Sequence, residues 1–429
     1  MDHLEFPLHQ HVLPNGVQVA VEEVPAAPCV SVGIWVYTGS QEETPATNGI
    51  SHFLEHMLFK GTSRRNAADI AQELEALGGQ VDAFTEKELT CFHLRLLPEH
   101  LPLGLDILTD MLTGSQLAPA DIAVEKNVVL EEIKHSEDTP EDLVYDLLTA
   151  LCWQDHPLGL TILGTEASVR RLNRASLKRW IASHYTGRRL LVTAAGSLQG
   201  QPLCQWIEQG LGPLSAGSEP PSPPPPLFHS GSAFVEKDIE QVQLCLAWPG
   251  CSLLDEDRYG LSLLESILGG GCSSRLFQEV REKRGLAYHV ASSLLLHRVA
   301  GLFIIHTASS PSTVEEVLAV ILRQIADIAE KGVTESELQR AQSQMRASLL
   351  LSLEGTGARM SRLARSLLFH GRVVPLAEVL SRFERLTTAE IRRLAQRLFR
   401  TTSPSLAAVG AVTEADMARW ADLVRTLGP

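Results

Sequence analysis

The run "SAGSEPPSPPPPLFHS" at 215–230 constrains the fold of this chain more than any other stretch. Its six prolines each fix φ near about −65° and each lack a backbone N–H, so neither a helix nor a sheet interior can pass through it. An extended, semi-rigid linker is the expected form. The chain is therefore expected to fold as two bodies, 1–214 and 231–429, each of ordinary domain size.

Both bodies read as mixed α and β. In the first, "GVQVAVEEV" and "CVSVGIWVYTG" are rich in β-branched residues and alternate well enough for strands. Helical patterns follow near 48–60, 66–77 and 98–113, with "GGQVDAFTEKELTCFHLRLL" between the last two reading as a hairpin. A longer helix is expected over 119–136, and "RLLVTAAGSL" at 189–198 reads as a closing strand. Setting "GISHFLEHMLFKGTSRR" beside "YGLSLLESILGGGCSSR" pairs Gly49 with Gly260 and Ser51 with Ser262, which points to internal duplication. The expected fold is α+β, two homologous domains, each a mostly antiparallel sheet packed with helices.

The duplication is informative because its copies differ in chemistry. His52, Glu55 and His56 spell H-x-x-E-H in the first copy, while Leu263 and Ile267 stand at the histidine positions of the second. On a helix His52 and His56 lie about 40° apart, and Glu55 about 60° to the other side of His52, so all three can face one point. Neutral imidazoles and a carboxylate suit zinc, and a non-ligating glutamate beside them can take a proton from water. Two unrelated histidines on an ordinary helix are the competing reading, and a third ligand weighs against it. Within "DIAVEKNVVLEEIKHSEDTPED", Glu125 and Glu132 fall within about 20° of each other on a helix, and Glu131 points about 120° away from Glu125. Glu132 can then ligate while Glu125 orients a ligand.

Composition removes other classes. A net charge of −14 disfavours nucleic acid and anionic membranes as partners and leaves room for basic peptides. The seven cysteines are scattered without a C-x-x-C pair, and no stretch offers 18 uninterrupted apolar residues or a signal-peptide pattern at "MDHLEFPLHQHVLPNG". A cytoplasmic protein is the expectation, although a transit peptide removed beforehand would leave the same sequence. Neither a phosphate-binding G-x-x-x-x-G-K-[ST] or G-x-G-x-x-G element nor a G-x-S-x-G elbow occurs.

The H-x-x-E-H motif, the E-x6-E pair that places Glu132 76 residues after His56, and "EDTPED" beyond it resemble the inverzincin zinc peptidases of the pitrilysin and insulinase type. The likeness is to their short, mitochondrial-processing-peptidase-like branch and runs over nearly the whole chain. It implies a zinc metalloendopeptidase with one Zn2+ per chain held by His52, His56 and Glu132. It makes Glu55 the general base and Glu125 the carboxylate supporting a ligand. "VDAFTEKE" resembles the strand that adds a substrate backbone to a sheet edge, through Asp82, Ala83, Phe84 and Thr85; many relatives have Asn where this chain has Asp82. "GGGCSSRLFQEVREKRGLAYHV" resembles the family's glycine-rich turn and R-x6-Y element, which makes Arg281 and Tyr288 the groups that hold substrate and the developing oxyanion.

Relatives of this length look like half of longer members that close two halves around a chamber. The implied assembly is a homodimer, or a heterodimer with a related subunit, with Arg281 and Tyr288 acting across the subunit boundary, and the implied substrates are unfolded peptides or presequences. Two rivals stand beside this reading. One is a catalytically silent member serving as a scaffold or partner subunit. The other is a protein using zinc structurally, which requires a fourth ligand such as His93 or Cys91.

Overall fold

A computed structural model describes residues 6–198, 200–221 and 223–427. Residues 1–5 of the amino-terminal stretch and Ser222 of the proline-rich run lie outside the described residues.

The first compact unit is built on six strands: β1 (Leu8–Val12), β2 (Gln18–Glu23), β3 (Val30–Val36), β4 (Gln80–Thr85), β5 (Thr90–Leu96) and β6 (Leu190–Gly196). Their order is β1-β2-β6-β3-β5-β4, antiparallel except for the parallel pair of β2 with β6. The expected closing strand is present as β6, which lies mid-sheet between β2 and β3. All seven of its residues are buried, as are all seven of β3, which is what a strand covered on both faces requires.

One face of this sheet carries Val32, Ile34, Phe92 and Leu94 into a large apolar core. That core also holds residues of helices α1 (Ile50–Leu58), α2 (Ala67–Ala76), α3 (Leu101–Gly114) and α4 (Pro119–Asp138). The opposite face presents Gly33, Trp35 and Thr193 and is covered by the helix Thr356–His370 from the far end of the sequence. Gly33 permits this approach, because a Cβ there would sit 3.1 Å from Met360 Sδ. Thr193 Oγ1 accepts from Trp35 Nε1 at 2.8 Å and donates to the Met360 carbonyl at 3.0 Å, so the polar groups under the helix are satisfied.

The second unit repeats the plan. Strands β7 (Ser232–Glu236), β8 (Val242–Pro249), β9 (Ala287–Leu296), β10 (Gly301–Ser309) and β11 (Ser405–Gly410) run in the order β7-β11-β8-β10-β9, with β7 and β11 parallel. This is the order of the first sheet without β1. The helix Asp257–Gly269 stands where α1 stands, and its Leu263 and Ile267 are buried in an apolar core.

One helix here is also borrowed. Helix α5 (Pro140–Cys152), from the first half of the sequence, packs Val144, Leu148 and Cys152 against Cys245, Ala247, Ile304 and Val409 of the second sheet. The compact units are therefore not the two halves cut at the linker. One is drawn from Met1–Lys134, Leu160–Ser222 and Leu350–Val374, the other from His135–Gly159, Pro223–Leu349 and Pro375–Pro429. The physical reason is coverage: a sheet apolar on both faces needs helices on both, and each unit takes its second cover from the other half of the sequence. Leu148 is fully buried in that contact. Leu148→Ala is expected to cost about 2–5 kcal/mol in urea denaturation, the range for emptying a buried leucine site.

Candidate metal centre

Helix α1 starts where the chain can turn and be capped. Gly49 takes φ +89°, and a Cβ on it would lie 2.5 Å from the Leu163 carbonyl oxygen, so only glycine fits. The buried Glu43 carboxylate then accepts from Gly49 N–H at 2.7 Å, Ser51 N–H at 2.9 Å and Asn48 Nδ2 at 3.0 Å. Acid at a helix N-terminus satisfies donors that have no partner within the helix. Burial raises the Glu43 pKa, with these hydrogen bonds pulling it back down.

From that anchored start, His52 and His56 project on one side of α1, their ring centroids 4.6 Å apart. Glu132 on α4 meets them, its Oε2 3.8 Å from His52 Nε2 and 3.6 Å from His56 Nε2. Among the described residues, these three form the one group of three or more His, Cys, Asp or Glu side chains whose ligand atoms all fall within 4.8 Å of one another. Glu132 Oε2 and His52 Nδ1 are buried without a hydrogen-bond partner. Bonds of about 2.1 Å in a tetrahedral set would put ligand atoms roughly 3.4 Å apart, close to the spacing found, so the residues fit a zinc ion.

The surroundings favour the ligating forms. Desolvation, and then the neighbouring His56, depress the His52 pKa to about 4, which keeps its imidazole neutral near pH 7. Glu125 Oε1 lies 2.8 Å from His56 Nδ1. A carboxylate there favours the tautomer with the proton on Nδ1 and the Nε2 lone pair turned toward Glu132. Glu125 is almost fully buried, and Lys60 Nζ forms an ion pair with its other oxygen at 2.6 Å. Glu131 instead faces solvent and pairs with Lys134 at 2.6 Å.

Glu55 stands beside the group on the same helix, its Oε2 accepting from Thr85 Oγ1 at 2.6 Å. Burial raises its pKa, opposed first by the Thr85 hydroxyl and then by His56. Thr85 ends β4, an edge strand. The Glu86 N–H donates to the Leu89 carbonyl in the turn, so ladder alternation directs the N–H and C=O of Phe84 and Asp82 toward β5 and those of Ala83 and Thr85 toward the open edge. Asp82 Oδ1 accepts from the Ala83 N–H at 2.8 Å. Phe84 lies on the other face of the sheet, in edge contact with Trp35 and near His93.

Cys91 and His93 alternate with Thr90 and Phe92 and so point away from the face that carries Glu55, and neither joins the metal group. Arg281 and Tyr288 belong to the second unit and are brought together there: the guanidinium carbon lies 4.5 Å from the Tyr288 ring centroid and 4.7 Å from that of Phe277. Arg281 sits in a π-helical turn, Phe277–Glu282, and Tyr288 is 75 % exposed.

Sequence reasoning missed Glu43, Lys60 and Phe277. A glutamate six residues before the glycine that opens α1 was a usable signal for the first, and the i, i+4 spacing of Phe277 and Arg281 for the third. Nothing in sequence spacing links Lys60 to Glu125. Among the described residues no helix is long and apolar enough to cross a membrane.

Comparison with known proteins gives the family. The family model described as insulinase, peptidase family M16, matches residues 18–166, and that of the peptidase M16 inactive domain matches 171–345. The chain is 38 % identical over 392 residues to an uncharacterized zinc protease of Bacillus subtilis, covering 91 % of this chain and 96 % of that one. It is 39 % identical over 393 residues to one of Mycobacterium tuberculosis, covering 90 % and 89 %. Among solved structures, a protease from Helicobacter pylori superposes with TM-score 0.88 at 20 % identity, covering 95 % of this chain and all of that one (100 %), which bears on the fold alone. Family models over 18–166 and 171–345 and relatives 38–39 % identical over nine-tenths of the sequence lead to one conclusion: this chain is a member of the insulinase family of peptidases, M16.

Proposed function

We propose that this protein is a zinc metalloendopeptidase that hydrolyses unfolded peptides, with one zinc ion per chain held by His52, His56 and Glu132. The observation carrying this reading is the convergence of those three side chains beside Glu55, a carboxylate that is not needed as a ligand. Zinc bound there supplies Lewis-acid polarisation of a carbonyl and lowers the pKa of water.

The protein's own groups account for the rest. Glu55 accepts a proton as water oxygen bonds to the scissile carbonyl carbon, and returns it to the amine nitrogen as the C–N bond breaks. The unpaired edge of β4 offers the N–H and C=O of Ala83 and Thr85 to an extended peptide, a mode that reads backbone more than side chain. The Ala83 N–H must first be released by Asp82. Arg281, its guanidinium in cation–π contact with both Phe277 and Tyr288, is a charged donor suited to a substrate carbonyl as it gains negative charge.

The purified protein is expected to cleave internally quenched extended peptides, to stop in chelator, and to recover on adding zinc. A zinc-loaded protein that binds such peptides but cleaves none in a library would instead identify a silent member acting as a scaffold.

A further inference from the structure

We propose that Thr85 is a positioning residue that joins peptide binding to the alignment of Glu55. The inference rests on the reading of Glu55 as general base. Thr85 takes part in two structures at once. Its backbone N–H and C=O face the open edge of β4, where an added peptide strand would pair. Its side chain turns to the α1 face and donates the 2.6 Å hydrogen bond to Glu55 Oε2.

Thr90, paired with Thr85 across the hairpin and fully buried, has its own hydroxyl proton committed to the Thr38 carbonyl at 3.0 Å. Thr90 Oγ1 lies 3.5 Å from Thr85 Oγ1. Thr90 can then only accept from Thr85, and at that distance it is a far weaker acceptor than the Glu55 carboxylate at 2.6 Å, which takes the Thr85 proton. With the backbone of Thr85 fixed, a single staggered χ1 places the hydroxyl against Oε2, and a serine hydroxyl can adopt the same one. With Oε2 occupied, Oε1 is the oxygen left to receive the proton from water. A peptide pairing with β4 would rigidify Thr85 and, through one hydrogen bond, set the carboxylate that acts on that same peptide.

The test compares Thr85→Val, which keeps the shape and loses the hydroxyl, with Thr85→Ser, which keeps the hydroxyl. With zinc content and melting temperature measured alongside, Thr85→Val is expected to lower kcat about 10–100-fold, the scale for misplacing a reacting group, with KM within about twofold. Thr85→Ser is expected to stay within a few-fold of the parent kcat. Unchanged kcat in Thr85→Val, equal losses in both variants, or a loss residing in KM or in zinc content would each overturn the proposal. The base reading is tested separately by Glu55→Gln: an active Glu55→Gln removes that reading, whereas an inactive Glu55→Gln beside a fully active Thr85→Val removes only the role of Thr85.

Discussion

Glu55→Gln is expected to keep about one zinc per chain and to lose peptide hydrolysis by at least the roughly 10²–10⁴-fold that a positioned general base contributes. The reasoning starts from the separation of roles on α1. His52 and His56 meet Glu132, while Glu55, three residues after the first histidine, turns to Thr85 and is absent from the metal group. Glutamine has the same shape and retains a carbonyl oxygen for the Thr85 hydroxyl, so the local packing survives. What it cannot do is accept a proton from water near neutral pH. Metal analysis with single-turnover cleavage measures both halves of the expectation. A zinc-loaded variant with full activity would sink the assignment, and a variant that lost its zinc would place Glu55 among the ligands.

The same helix shows what was legible beforehand and why. The i, i+4 spacing of His52 and His56 and the seven-residue spacing of Glu125 and Glu132 are properties of helix geometry, so sequence alone put each pair on one face. The duplication was readable because Gly49 aligns with Gly260 and Ser51 with Ser262, and Leu263 and Ile267, opposite the two histidines, then take buried core positions. What sequence did not show depends on contacts between distant segments. Lys60, just past the end of α1, finds Glu125 of α4 through a contact 65 residues apart in the sequence. Thr85 was read as a substrate contact, and its hydroxyl is bonded to Glu55 because β4 runs beside that helix. The exchange of α5 and the helix Thr356–His370 left no local trace, since a buried helix face reads alike whichever sheet it covers.

His52→Leu is the substitution expected to empty the site. The second unit already carries leucine at the matching position, where Leu263 is fully buried, so an apolar side chain is compatible with this helix in this fold. Two ligands would remain, and the loss of affinity should exceed the roughly 10–100-fold cost of removing a supporting partner. Zinc at 1,000 times its dissociation constant would stabilise the parent by about 4 kcal/mol, so the parent melting temperature should rise with added zinc while that of His52→Leu stays flat. In the metal-free parent, burial and His56 hold the His52 pKa at about 4, below the ordinary 6.5. Between those values the unfolded chain binds a proton that the folded one does not, so stability rises with pH through that window and is lost as pH falls from about 6.5 toward 4. His52→Leu should lack that part of the slope. Denaturation midpoints of the chelated proteins at pH 7 and pH 5, with metal content at pH 7, measure both effects, and a His52→Leu protein that still bound zinc stoichiometrically would show that the ion sits elsewhere.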